Sequence, residues 1–148
     1  MTNLLWHYTI PSLIEAIFYS KKLIPRWCTF DGKPILWFSA NQDWEKSALQ
    51  SEQLRTRNEM VEAYGSLFRI GLHPDQKLLE PWTSLQRTAQ LSSGSISYLE
   101  TSAQKLGANH SDWWGTTSSV SISEWRSVEK IVDDKWKELM WWPLFPNH

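Results

Sequence analysis

The amino-acid sequence predicts a single domain of the α+β class over residues 1–148. Apolar runs typical of β-strands are interspersed with stretches whose apolar residues recur every three to four positions, as on one face of a helix. The resulting order is strand, helix, strand, helix, strand, two helices and then strands, which differs from the regular alternation of a parallel sheet. A chain of 148 residues with 41% hydrophobic side chains can bury one core, and it contains no repeat or linker that would divide it.

The first predicted strand is an apolar run that ends on His7, Tyr8 and Thr9. Thr9 or Ser12 can cap the helix that follows, and Pro11 is tolerated in its first turn. The buried face of this helix is predicted from apolar residues with helical spacing, namely Ile10, Leu13, Ile14, Ile17 and Phe18.

A second strand of the same form is predicted at residues 35–39, after a loop over residues 26–34. It ends on Trp37, Phe38 and Ser39. Strands that leave the core on polar or aromatic residues often present ligand-binding side chains. We therefore expect the two strand ends to form one nucleotide pocket.

The middle of the chain predicts a weak helix and a third strand. Asn41 offers a helix cap, and Trp44 and Ala48 supply a modest apolar face before a polar run at residues 50–59, which is either a solvated helix or a loop. Alternating apolar residues then predict a strand at residues 67–72.

Two helices and a loop are predicted next. Glu80 and Pro81 open a short helix that continues to Ala89, and the stripe within residues 96–106 predicts a second helix, which Gly107 ends. The following residues, up to Gly115, are expected to form a loop that carries Trp113 and Trp114.

The last part of the chain is expected to be mainly strands. Residues 116–123 could form a strand, residues 125–132 are a stronger candidate, and residues 135–142 predict a last strand or short helix. The tail at residues 143–148 is expected to fray.

Composition excludes several classes of function. A net charge of −1 lacks the basic excess typical of proteins that bind duplex nucleic acid. Cys28 is the only cysteine, and the four histidines lack the spacing of known metal motifs, so we expect a metal-free cytoplasmic protein. No apolar stretch approaches the ~18 residues of a membrane span, and no membrane partner is expected.

Eleven tryptophans in 148 residues are several times the usual share. Most of them cannot be fully buried with every indole N–H satisfied. Some are therefore expected to line a cleft or a partner surface.

The motif pair His7-Tyr8-Thr9 and Trp37-Phe38-Ser39, separated by a predicted helix and followed by Lys46-Ser47-Ala48, resembles the NAD-binding core of the ADP-ribosyltransferases. The resemblance is to the His-Tyr-Glu branch, which includes diphtheria toxin and the poly(ADP-ribose) polymerases. It implies a split β-sheet core with flanking helices and NAD as the substrate that supplies ADP-ribose.

The resemblance also implies roles for individual residues. His7 would hydrogen-bond the adenosine ribose, with Thr9 beside it, and the backbone of Tyr8 would hold the nicotinamide amide. Trp37 would replace the stacking tyrosine of the family. An aromatic face attracts the cationic nicotinamide ring by roughly 1 kcal/mol.

Phe38 and Ser39 complete the NAD-binding set that the resemblance implies, with Ser39 at the carboxamide. The catalytic set would be His7, Trp37 and a glutamate, because a carboxylate stabilises the oxocarbenium-like species formed when the glycosidic bond breaks. Glu124, just before a late strand, matches the position of that glutamate.

A second alignment, anchored on the Trp113-Trp114 pair as in a group of bacterial proteins that this chain also resembles, places Ser118 at the glutamate position instead. In that case Glu124 or Glu129 would have to substitute.

The predicted function is a mono-ADP-ribosyltransferase that acts on a macromolecular acceptor, either protein or nucleic acid, as a toxin or as a phage or antiviral effector. The alternative is a catalytically inactive module that binds NAD or ADP-ribose, or a protein partner, in an inhibitor, immunity or sensor role. A third possibility is a tryptophan-rich interaction domain with no nucleotide site.

Overall fold

The computed structural model describes residues 3–26, 31–49 and 56–139. The strands are β1 (Leu5–Thr9), β2 (Lys22–Leu23), β3 (Leu36–Ser39), β4 (Phe68–Leu72), β5 (Glu80–Pro81), β6 (Trp113–Thr116), β7 (Val120–Ser121), β8 (Ser127–Val132) and β9 (Lys135–Glu138). The helices are α1 (Pro11–Ser20), α2 (Arg57–Tyr64), α3 (Trp82–Thr88) and α4 (Ser93–Lys105), with short 3-10 turns at His110–Asp112 and Ile122–Glu124. The α+β class is confirmed.

Seven of the strands form one antiparallel sheet in the order β5-β6-β3-β1-β4-β8-β9, and β2 pairs with β7 beside it. No helix in the described part of the chain is long and apolar enough to cross a membrane.

The contact between β1 and β3 is the narrowest join in the large sheet. All five residues of β1 pair with β4, and all four residues of β3 pair with β6. Between β1 and β3, in contrast, the register pairs only Trp6 with Ser39. The sheet therefore consists of two well-paired parts that meet at this one position.

Three apolar clusters cover the sheet. The largest includes α1 and residues of β1, β3, β4 and β8, and it contains Phe18, Leu36, Phe38, Ile70 and Val128. A second cluster packs α3 and α4 against β3 and β6. The third surrounds Trp6 and Tyr8 on β1 and includes Met60 of α2.

Most elements lie where the sequence predicts them, including β1, α1, β3, β4, α3, α4 and β8. The last predicted element, residues 135–142, contains the strand β9, and residues 140–148, which include the end of the predicted element and the tail, lie outside the described residues. So do Cys28 and its neighbours at positions 27–30, and residues 50–55 of the polar run.

The helix predicted after Asn41 is wrong. The side chain of Asn41 accepts hydrogen bonds from the backbone N–H groups of Asp43 and Trp44, at 3.0 and 3.1 Å, and so forms a local turn. Leu49 closes this segment with a φ of 58°, in the left-handed region that a helix cannot use.

The prediction that the residues up to Gly115 form a loop is wrong, because they include the strand β6. This strand lies next to β3 in the sheet. Gly115 lies where a Cβ atom would be only 2.9 Å from the carbonyl oxygen of Leu36 and 2.8 Å from the side chain of Leu85. The strand predicted at residues 116–123 shrinks to the two residues of β7.

Candidate functional site

His7 lies at the join between β1 and β3. Its Nδ1 is 2.8 Å from the carbonyl oxygen of Trp37, and its ring packs at 5.6 Å from that of Phe38. A carbonyl oxygen only accepts, so Nδ1 carries the proton and Nε2 is the acceptor. Burial lowers the pKa of His7, and the positive charge of Arg26 acts in the same direction.

The two residues after His7 are firmly held by the fold. Tyr8 packs edge-on against Trp44 at 4.9 Å, and its hydroxyl donates to the carbonyl of Asn41 at 3.3 Å. Burial is the main reason that the pKa of Tyr8 is raised to about 12. Thr9, at the end of β1, is almost completely buried.

The indole of Trp37 does not share a pocket with the imidazole of His7. It packs against Trp82 and Trp113, each at 5.6 Å between ring centroids. Successive side chains of a strand point to opposite faces, and Phe38 takes the face that His7 occupies. The two predicted site residues therefore meet only through the backbone carbonyl of Trp37, and the expected common pocket of the two rings is wrong.

The side chain of Ser39 is hydrogen-bonded to the buried carboxylate of Glu45. Its hydroxyl donates to Glu45 at 2.8 Å and accepts from the backbone N–H of Asn41 at 3.1 Å. Glu45 also accepts from the indole of Trp113 at 3.3 Å and from both the hydroxyl and the backbone N–H of Ser47. These bonds fasten the end of β3 to β6.

Glu45 was not among the predicted site residues. In the sequence it resembles any charged residue beside a lysine, and only the fold brings it to Ser39 and Trp113. Its charge also reaches Asp112, whose pKa is raised by partial burial and, to a smaller extent, by Glu45. The one feature of the sequence that pointed to this region was Ser47, two residues after Glu45, which is part of the Lys46-Ser47-Ala48 segment in the family resemblance.

Glu124 lies in the 3-10 turn that precedes β8, and its carboxylate accepts a short hydrogen bond from the amide of Gln76. In the sheet, β4 separates β8 from β1. No contact among the described residues connects Glu124 with His7 or Trp37.

Glu129 is bound in an ion pair on β8. Its Oε1 accepts from Nε of Arg69 at 2.8 Å and lies 2.6 Å from Nη2. The guanidinium of Arg69 is in turn stacked between Trp6 and Trp136, at 3.9 and 4.3 Å from the ring centroids. This carboxylate has a structural partner within the sheet.

Ser118 follows β6, and its backbone N–H donates to the hydroxyl of Thr116 at 3.0 Å. Thr116 pairs with Leu36 at the start of β3. Because β1 and β3 are antiparallel, the start of β3 runs beside the end of β1, so Ser118 lies at the same end of the sheet as Thr9.

Comparison with known proteins gives no relative for this chain. No protein-family model, no curated protein and no solved structure matches it.

Proposed function

We propose that the chain is a small mono-ADP-ribosyltransferase that binds NAD where β1 and β3 part, and that its sheet is the split core of that superfamily. The observation that supports this most strongly is the single register pair between β1 and β3, with His7 beside it. The motif pair that resembles the family thus lies on the two neighbouring strands that separate from each other.

The chemistry of His7 fits a ribose. The carbonyl of Trp37 holds the imidazole in one tautomer, and burial keeps it neutral, so Nε2 can accept a hydrogen bond from a ribose hydroxyl. The side chains of Tyr8 and Thr9 are buried beside it, so we assign the backbone of Tyr8, as the resemblance implies, to the nicotinamide amide. The macromolecular acceptor is a protein or a nucleic acid.

Transfer of ADP-ribose requires a carboxylate at the ribose, and Glu124 is the residue that we assign to this step. To reach it, Glu124 would have to give up its contact with Gln76, and the ribose would have to lie within its reach across β4, which separates β8 from β1.

A second candidate function is binding of NAD or ADP-ribose without cleavage, as an inhibitor, immunity partner or sensor. The observation that favours it is that Ser118, which one alignment with the family places at the glutamate position, lies two residues after β6, the strand that borders β3. Glu129 cannot substitute for that glutamate without losing its ion pair with Arg69, which further favours the non-catalytic function.

Calorimetry with NAD, together with an assay for nicotinamide release in the presence of cell lysate, separates these functions. The transferase predicts binding and release, with release lost in Glu124→Gln. Binding without release, unchanged in Glu124→Gln, would instead show the non-catalytic module. Glu62→Gln, an exposed residue of α2, is the matched control because it removes the same charge.

His7→Asn tests the site itself, because the asparagine amide reaches the position of Nδ1 and can donate to the carbonyl of Trp37, but has no group at the position of Nε2 to accept a ribose hydroxyl. We expect weaker NAD binding by this variant. A ligand at 100 times its dissociation constant raises the stability by about 2.7 kcal/mol. A wild-type melting temperature that NAD does not shift would exclude both candidates and support the interaction domain without a nucleotide site.

A further inference from the structure

An open groove of about 540 Å³ runs along α4 and the turn that follows it, away from the β1–β3 join. Most of the described residues that line it carry polar groups, namely hydroxyls, amides, one imidazole and one carboxylate, and Ile96, Ala108 and the carbon atoms of the polar side chains give it apolar surface as well. Glu100 is the single fully charged side chain among the described residues that line the groove. The groove therefore has a negative character.

The carboxylate of Glu100 is held in place by contacts with Trp82 and His110. Its Oε2 accepts from the indole N–H of the buried Trp82 at 2.7 Å and lies 3.7 Å from Nδ1 of His110. His110 in turn packs edge-on against Trp113 at 6.0 Å. No described residue hydrogen-bonds Oε1, so this oxygen is available to a ligand.

The shape of the groove fits an extended peptide. Ser93, Ser97 and Thr101 recur every four residues along the exposed side of α4, which places their hydroxyls along about 12 Å of helix. An extended chain covers this length with about four residues. Asn109 and Gln104 add amide groups that can bond to a peptide backbone.

We propose that this groove binds a basic segment of a partner protein, with a lysine or arginine side chain on Glu100. The site provides one fixed carboxylate for the cation and hydroxyls and amides for the backbone of the segment. It does not include any residue of the proposed NAD site, and binding there is independent of NAD.

The test is fluorescence anisotropy of a labelled peptide of alternating lysine and serine at low and at physiological salt. We expect Glu100→Gln to weaken binding about tenfold, because it removes the cation's only charged partner. Glu62→Gln carries the same change in net charge outside the groove and should leave the dissociation constant unchanged. A matching peptide of glutamate and serine should not bind.

Glu100→Gln could weaken binding by disturbing the hydrogen bond with Trp82, and a second variant tests the groove without this effect. Ser97→Arg puts a guanidinium into the groove without touching Trp82, and it should abolish binding while the protein stays folded. The indole N–H resonance of Trp82 should move in the wild type when the basic peptide is added. Equal binding by wild type, Glu100→Gln and Ser97→Arg, or equal binding of the acidic peptide, would overturn the proposal.

Discussion

One ring nitrogen of His7 is fixed by the carbonyl of Trp37, and the side chain as a whole is partly buried. Its hydrogen bond to Trp37 acts to raise its pKa, whereas burial and the charge of Arg26 lower it, and burial is the largest effect. The neutral form is the one that can both donate from Nδ1 and accept at Nε2.

The lowered pKa of His7 predicts a loss of stability in mild acid. The unfolded chain takes up a proton near the ordinary value of 6.5, above the pH at which folded His7 does so. The free energy of unfolding should therefore fall as the pH drops through 6.5 towards the folded-state pKa. Urea midpoints between pH 8 and pH 5 measure this.

His7→Asn keeps a donor for the carbonyl of Trp37 at the position of Nδ1 but does not titrate, so its urea midpoint should vary less over this range. His110→Gln, at an exposed site on the other side of β3, should behave as the wild type does. An equal dependence in His7→Asn and wild type would show that other groups cause the acid sensitivity.

On the scale of single elements, β4, β8 and β9 are held together by charge as well as by pairing. Arg69 of β4 is buried between the indoles of Trp6 and Trp136 and is neutralised by Glu129 of β8. A third bond runs from its Nη1 to the carbonyl of Gln42 at 2.6 Å. One guanidinium thus contacts β1, β8, β9 and the turn after β3.

Glu129→Ala should destabilise the protein by about 3 kcal/mol, because it leaves the buried charge of Arg69 without its partner. The matched control is Glu138→Ala on β9, which lies directly opposite Glu129. That carboxylate is exposed and bonded only to the hydroxyl of Ser127 at 3.2 Å among the described contacts, so its removal should cost less than about 1 kcal/mol. Chemical unfolding of both variants gives the comparison, and equal losses would contradict the role of Arg69.

The elements that the sequence predicted well are those whose signal is local. β1, β3 and β4 are buried apolar runs, and the stripe of α4 is visible in its own residues. β6 was missed because Trp113, Trp114, Gly115 and Thr116 contain a glycine that weakens any strand prediction. That glycine is required by the close approach of Leu36 and Leu85, which no local pattern shows.

The same limit applied to the candidate site. The residue types on β1 and β3 were visible in the sequence, and the family resemblance implied that the two strands lie close together. The face on which each side chain lies depends on register, so the separation of the Trp37 indole from His7 was not predictable. The bonds of Glu45 to Ser39 and Trp113 depend on contacts distant in sequence.

On the scale of the whole molecule, the weak join between β1 and β3 raises the question of whether the two parts of the sheet unfold together. The second cluster, with Trp37, Trp82 and Trp113, belongs to the β3 side. The largest cluster crosses the join, because Leu36 and Phe38 of β3 pack in it with Leu5 of β1 and Ile70 of β4. Side-chain packing across the join thus compensates for the scarcity of backbone pairing.

We therefore expect one cooperative unfolding transition, seen at the same urea concentration by tryptophan fluorescence and by far-ultraviolet circular dichroism. Phe38→Ala should remove packing across the join and cost about 3 to 5 kcal/mol, and the two signals should then separate. Leu85→Ala, fully buried within the second cluster, creates a cavity of comparable kind on one side of the join only. It should lower the midpoint and leave the signals coincident, because the largest cluster still connects the two parts. Separate transitions in the wild type would show that the largest cluster does not couple them.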